Sequence, residues 1–128
     1  MKINYDCIRD LLHVLEDNLQ YDDKLTYPRC RLNQIRENDL LKQYSLKDIV
    51  YSTQMLDEAD YISCSIIDSD SNIHDVIYYS ITFEGHQYLD SIKDDTVWYR
   101  VKEKAPSLTL DIIKSVASSI IVKMLTNQ

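Results

Sequence analysis

A chain of 128 residues, 45% hydrophobic and 27% charged, has the size and make-up of one globular domain, able to bury roughly two-thirds of its unfolded surface. One glycine and two prolines leave no flexible linker, and a formal net charge of −7 favours solubility. The most apolar stretch, 108–125, is interrupted by Asp111, Lys114 and Lys123, short of the roughly 18 to 20 apolar residues that span a bilayer, so no membrane role is expected.

The N-terminal residues run straight into helical pattern, without an apolar leader or a small-residue cleavage site, as in a cytoplasmic protein. A first helix is predicted over 5–19, because Ile8, Leu11, Leu12, Leu15 and Leu19 recur at helical spacing, with Asn4 as its cap. Asp22-Asp23 and Tyr27-Pro28 break the periodicity and mark a loop over 20–31, with a short strand near 29–32. A brief second helix is expected over 37–43. Ser45 then caps a third, with Asp48 near its positive end. Leu46, Ile49, Val50, Thr53 and Leu56 form the inner face of that helix; Lys47, Tyr51, Gln54, Met55 and Glu58 point outward. It ends at Ala59-Asp60, where Asp60 can adopt the left-handed conformation of a helix terminus.

From Tyr61 the period becomes two. Ile62, Cys64 and Ile66 alternate with outward Tyr61, Ser63 and Ser65 in a half-buried strand. The polar run 68–72 is a turn, and 73–82 returns as an antiparallel partner. Thr82 opens another helix whose Phe83, Leu89 and Ile92 face the core. Gly85, in its first turn, permits close approach of another backbone. Pro106 separates the Val97-Trp98-Tyr99 region from a last helix over 108–125, giving a main domain of 1–105 and a C-terminal helix in 106–128. The apolar residues of that helix, from Leu110 to Leu125, occupy more than one stripe, so it is wrapped in the chain's own core or meets a partner, the simplest being a second copy in a two-fold dimer. Helix, short helix, capped helix and hairpin is the order of a winged helix-turn-helix in an α+β fold with additional C-terminal helices.

The stretch Ser80-Ile81-Thr82-Phe83-Glu84-Gly85-His86-Gln87-Tyr88-Leu89-Asp90-Ser91-Ile92, followed by Val97-Trp98 and Lys102-Glu103-Lys104, resembles a widespread uncharacterised winged-helix family of bacterial and prophage proteins, the YjcQ-like proteins among its relatives. The opening Asn4-Tyr5-Asp6 and the middle Asp57-Glu58-Ala59-Asp60-Tyr61 share the likeness. The resemblance implies a winged helix, a phage, prophage or low-GC Gram-positive origin, a lysine-rich helix after Trp98 and no known enzymatic activity. Asp60 stands where that pattern has a glycine, and Tyr51-Ser52 replaces a Tyr-His pair.

No phosphate loop, nucleophile elbow or His-x-x-x-His pair supports catalysis, so no enzyme and no cofactor are expected. Three cysteines at wide spacings, Cys7, Cys30 and Cys64, read as free thiols of a reducing compartment, and three scattered histidines give no metal site. His86 is the leading polar candidate, read first as a side chain bonded to a neighbouring group.

Two functions remain. The fold order points to a DNA-binding transcriptional regulator, with Arg29, Arg31, Arg36 and Lys42 on phosphates and Lys47, Tyr51, Ser52 and Gln54 reading bases. The charge map opposes it: from Asp48 to Asp95 there are eleven acidic residues and one basic one, Lys93. The alternative is an acidic module that docks a basic host protein, one that itself holds nucleic acid, through Asp57, Glu58, Asp68 and Asp70.

Overall fold

A computed structural model describes residues 1–104 and 109–127. The Pro106 break, the expected helix start at Leu108 and the domain division at 105/106 lie outside the described residues. Among those described, the chain is α+β, with six helices and one three-stranded antiparallel sheet. It falls into two compact units, Met1–Gly85 and His86–Gln128.

The first unit opens on α1 (Tyr5–Asn18), whose N-cap Asn4 accepts a 3.0 Å bond from the Cys7 amide as expected. Ile8, Leu11, Leu12 and Leu15 of this helix are fully buried. After the loop comes β1 (Cys30–Arg31), within the range predicted for a short strand. The short helix falls earlier than expected: α2 is Leu32–Ile35, with Leu32 and Ile35 buried, and 37–43 is a chain of hydrogen-bonded turns. The Asn38 carboxamide oxygen accepts the Leu40 amide bond there, offering the backbone an alternative to the helical ladder.

Helix α3 (Leu46–Glu58) begins at Ser45, whose hydroxyl accepts the Asp48 amide bond at 3.1 Å. Ser45→Ala should lower unfolding free energy by about 1 kcal/mol, read from urea melts of the two proteins. The buried stripe of α3 is Ile49, Ser52, Thr53 and Leu56, while Leu46 is exposed and Val50 half-buried. The inner face thus keeps the predicted Ile49, Thr53 and Leu56 but is rotated so that the small Ser52 joins it in place of Leu46 and Val50. Thr53 satisfies its hydroxyl on the Ile49 carbonyl at 2.9 Å and on the buried Tyr78 hydroxyl at 2.7 Å. At the helix end Asp60 has φ 60°, the left-handed conformation expected of its position.

The hairpin pairs β2 (Ile62–Ser69) with β3 (Asn72–Ile81), and β1 pairs with the other edge of β3, giving the order β1-β3-β2. Ile62, Cys64 and Ile66 oppose Ile81, Tyr78 and Val76 on the inner side, with register shifts after Ser63 and Ile67. Tyr61 is buried rather than outward, since it enters the strand with its amide on Leu56 and its carbonyl oxygen accepting from Thr82. The turn is tighter than 68–72. Asp68 and Ser69 pair with Ile73 and Asn72, leaving Asp70 and Ser71 as a two-residue tip with φ 52° and 66°. Two positive values in succession are the mark of a type I′ turn, in which glycine suits the second position. Ser71→Gly should therefore raise stability by about 0.5 to 1 kcal/mol, visible as a higher urea midpoint at unchanged slope.

Helix α4 (Phe83–Ile92) starts at Thr82, whose hydroxyl donates to the Asp60 carbonyl and accepts from the Gly85 amide. Leu89 and Ile92 are fully buried as expected. Phe83 is not: it is 72% exposed in the first turn, and Tyr88 takes the buried position instead. In the second unit α5 (Asp95–Lys104), implied by the resemblance as a lysine-rich helix, buries Val97, Trp98 and Val101. Its start is held by the Asp94 carboxylate, which accepts the Val97 amide bond. It packs against α6 (Leu110–Thr126), which is capped by Thr109 and buries Ile113, Ala117 and Ile120. No helix among the described residues is long and apolar enough to cross a membrane.

Candidate interaction face

The outward side of α3 carries one continuous stripe. Lys47, Val50, Tyr51, Gln54, Asp57 and Glu58 follow one another at helical spacings of three and four, so their side chains line one face. The hairpin supplies the opposite wall. Ile73 lies on its inner side, directly across from Asp68 in the register. Between them runs a groove of ≈ 410 Å³, lined by Met1, Leu46, Lys47, Val50, Tyr51, Gln54 and Ile73. Its floor is apolar, and Leu46 and Ile73 are 41% and 37% exposed.

Carboxylates lie on both elements. Asp57 and Glu58 continue the stripe past Gln54, and Asp68 flanks Ile73 on the hairpin. Over α3 and the hairpin, 46–81, Lys47 is the single lysine or arginine, against Asp48, Asp57, Glu58, Asp60, Asp68, Asp70 and Asp75. Asp57 also accepts a bond from the Cys64 thiol; burial, then the Asp57 charge and this bond, push that thiol up to about 12. Burial raises Cys7 and Cys30 to about 11 each. All three thiols stay protonated at neutral pH, the state of inert packing groups rather than nucleophiles. No group of three metal-binding side chains forms among the described residues.

The residues expected to meet DNA do not all share one face. Lys47, Tyr51 and Gln54 share the groove, but Ser52 is 2% exposed, on the opposite side of α3, bonded to the Cys7 thiol. Ser52 is therefore withdrawn from the base-reading set: a buried hydroxyl reaches no groove of a duplex. Arg31 is committed across the sheet, its guanidinium 2.7 Å from the Asp75 carboxylate. Lys42 lies 3.5 Å from Asp39 at the surface, while Arg29 and Arg36 are exposed. Of the acidic set, Asp57 and Glu58 lie at the end of the α3 stripe, Asp68 lies across from Ile73 on the hairpin and Asp70 occupies its tip.

The lining residues Met1, Leu46, Val50 and Ile73 are not legible as site residues in the sequence. Leu46 and Val50 have helical spacing and read as core; only the position of Ile73 beside α3 reveals them as a floor.

A family model described as "Hypothetical protein (DUF2513)" matches residues 2–111. An "Uncharacterized protein" of Haemophilus influenzae (strain ATCC 51907 / DSM 11121 / KW20 / Rd) is 33% identical over 129 residues, covering 98% of this chain and 99% of that protein. No solved structure matches the chain. Membership of an uncharacterised family, expected from the sequence, holds at that level, and the chain belongs to the DUF2513 family.

Proposed function

We propose that Met1–Gly85 is a winged helix, related to the YjcQ-like proteins, that works as a protein-docking module and not as an enzyme. The order of its elements and its sheet support the fold reading: β2–β3 stands as the wing and α3 as the helix that DNA-binding members present to the duplex. Asp60 supports the kinship, since it holds the φ of 60° that a glycine in its place would favour. One observation carries the docking reading. Where a base-reading helix needs polar and cationic side chains, α3 has an apolar groove, with Asp57 and Glu58 further along the same helix stripe and Asp68 across from Ile73 on the hairpin. Phosphates would be repelled there, whereas an apolar segment flanked by lysine or arginine meets complementary surface. The proposed setting is the cytoplasm of a bacterial host, with a phage or prophage source and a basic host protein as partner.

The test is cross-linking mass spectrometry of the full chain in host lysate, beside two variants. One neutralises the rim (Asp57→Asn, Glu58→Gln, Asp68→Asn); the other charges the floor (Val50→Asp). A protein recovered with the wild type and absent with both variants is the expected result; recovery unchanged by both would contradict the reading. A second reading stands on the exposure of Arg29 and Arg36 in the basic segment before α3. There the chain is a transcriptional regulator that grips DNA backbone through 24–42. Replacing Arg29, Arg31 and Arg36 by alanine together would then flatten the salt dependence of duplex binding by about one unit of slope for each phosphate no longer neutralised.

A further inference from the structure

We infer that the groove on α3 takes helix α6 of a second copy of this chain, an assignment that rests on the docking reading and names an occupant for the same face. The exposed side of α6 has the matching chemistry. Ile112 and Val122 are 46% and 57% exposed, with exposed Ser115 and Ser119 between them on the same face. Apolar ends and small residues in the middle let a helix approach closely over the half-buried Tyr51 and Gln54 of the groove.

Charge fixes the direction. On α6 the exposed face carries Asp111 at its start and Lys123 near its end, twelve residues apart or about 18 Å along the axis. On α3 the stripe carries Lys47 near its start and Asp57 ten residues on, about 15 Å away, with Glu58 beyond it. Laid parallel, each end of α6 meets an opposite charge; laid antiparallel, each end meets a like one. The two units differ in the same sense. Of the chain's charged residues, eight basic and sixteen acidic lie in residues 1–85, for −8, and six basic and five acidic lie in 86–128, for +1. Two such interfaces, each copy giving its α6 to the other's groove, close a two-fold dimer.

Sedimentation equilibrium of the full chain tests this through a charge swap at exposed positions. Wild type should associate from 15.1 kDa to twice that mass. Lys123→Glu should weaken association roughly tenfold, each rim pair carrying a factor of about three and the dimer holding two. Asp57→Lys with Glu58→Lys should weaken it similarly, and all three changes in one chain should restore it. Circular dichroism checks that each variant is folded; if the paired lysines unfold the chain, Glu58→Lys alone with Lys123→Glu serves as the swap. A wild type that stays monomeric up to about 200 µM overturns the inference. So does a dimer indifferent to Lys123→Glu, which would place the interface elsewhere. Neither result bears on whether α3 meets DNA or protein, which duplex titration decides separately.

Discussion

Gly85→Ala is expected to destabilise the chain by more than about 3 kcal/mol, which for a unit of this size lowers Tm by on the order of 15 °C. The reason is space and not backbone freedom, for Gly85 has no positive φ. An added Cβ would fall inside the carbonyl oxygen of Tyr61 and 2.8 Å from the Ile81 side chain. Neither neighbour is free to retreat. The Tyr61 carbonyl accepts the Thr82 amide bond at 3.0 Å, and Thr82 in turn bonds the Asp60 carbonyl and the Gly85 amide. Relief would therefore require the start of α4 to leave the junction of α3 and β2. Calorimetry of the variant beside wild type measures it; a Tm within a few degrees would mean that the junction yields freely, contrary to such close packing.

Thr53→Val should cost about 2 kcal/mol although it keeps the shape of the side chain. Thr53 has one hydroxyl proton and spends it on the Ile49 carbonyl, so the Tyr78 hydroxyl must be the donor in their 2.7 Å bond. Tyr78 is fully buried, and burial is the main force raising its phenol above the ordinary value. Valine would leave that phenol with a donor and no acceptor in the core. Tyr78→Phe removes the orphan itself and should cost only about 1 kcal/mol, because Thr53 keeps Ile49. The double variant should be little worse than Thr53→Val alone, a coupling that urea melts of all four proteins resolve. Strict additivity would show that the two hydroxyls act independently.

Local chemistry is legible wherever the sequence states it locally. The caps Asn4 and Ser45, the left-handed Asp60, the change of period at Tyr61 and the crowding at Gly85 follow from single residues or short spacings, and the structure has each in place. What departs from expectation needs tertiary context. The short α2 has only Leu32 and Ile35 to mark it, too few for a period, and its position is set by β1 beside it. The inner face of α3 is read only in part: Ile49, Thr53 and Leu56 follow from the period, whereas Ser52 counts as polar yet buries its hydroxyl on Cys7. Hydrophobicity alone assigns Phe83 to the core, while Tyr88 fills that role five residues later. The groove is less legible still, since Leu46 and Val50 look like core until β3 brings Ile73 alongside them. The acidic alternative can be read because charge, unlike packing, survives in the sequence as a count.

If α3 and the hairpin form a protein-docking face and not a base-reading one, duplex DNA should leave them untouched. Amide spectra of the full chain, titrated with random duplex DNA at about 50 mM salt, test it where non-specific attraction is strongest. The signals of Lys47, Tyr51, Gln54 and Ile73 should stay in place, with any salt-sensitive movement confined to the segment around Arg29 and Arg36. Saturable movement of the α3 and hairpin signals, abolished as salt is raised, would contradict it and return α3 to the role of a recognition helix.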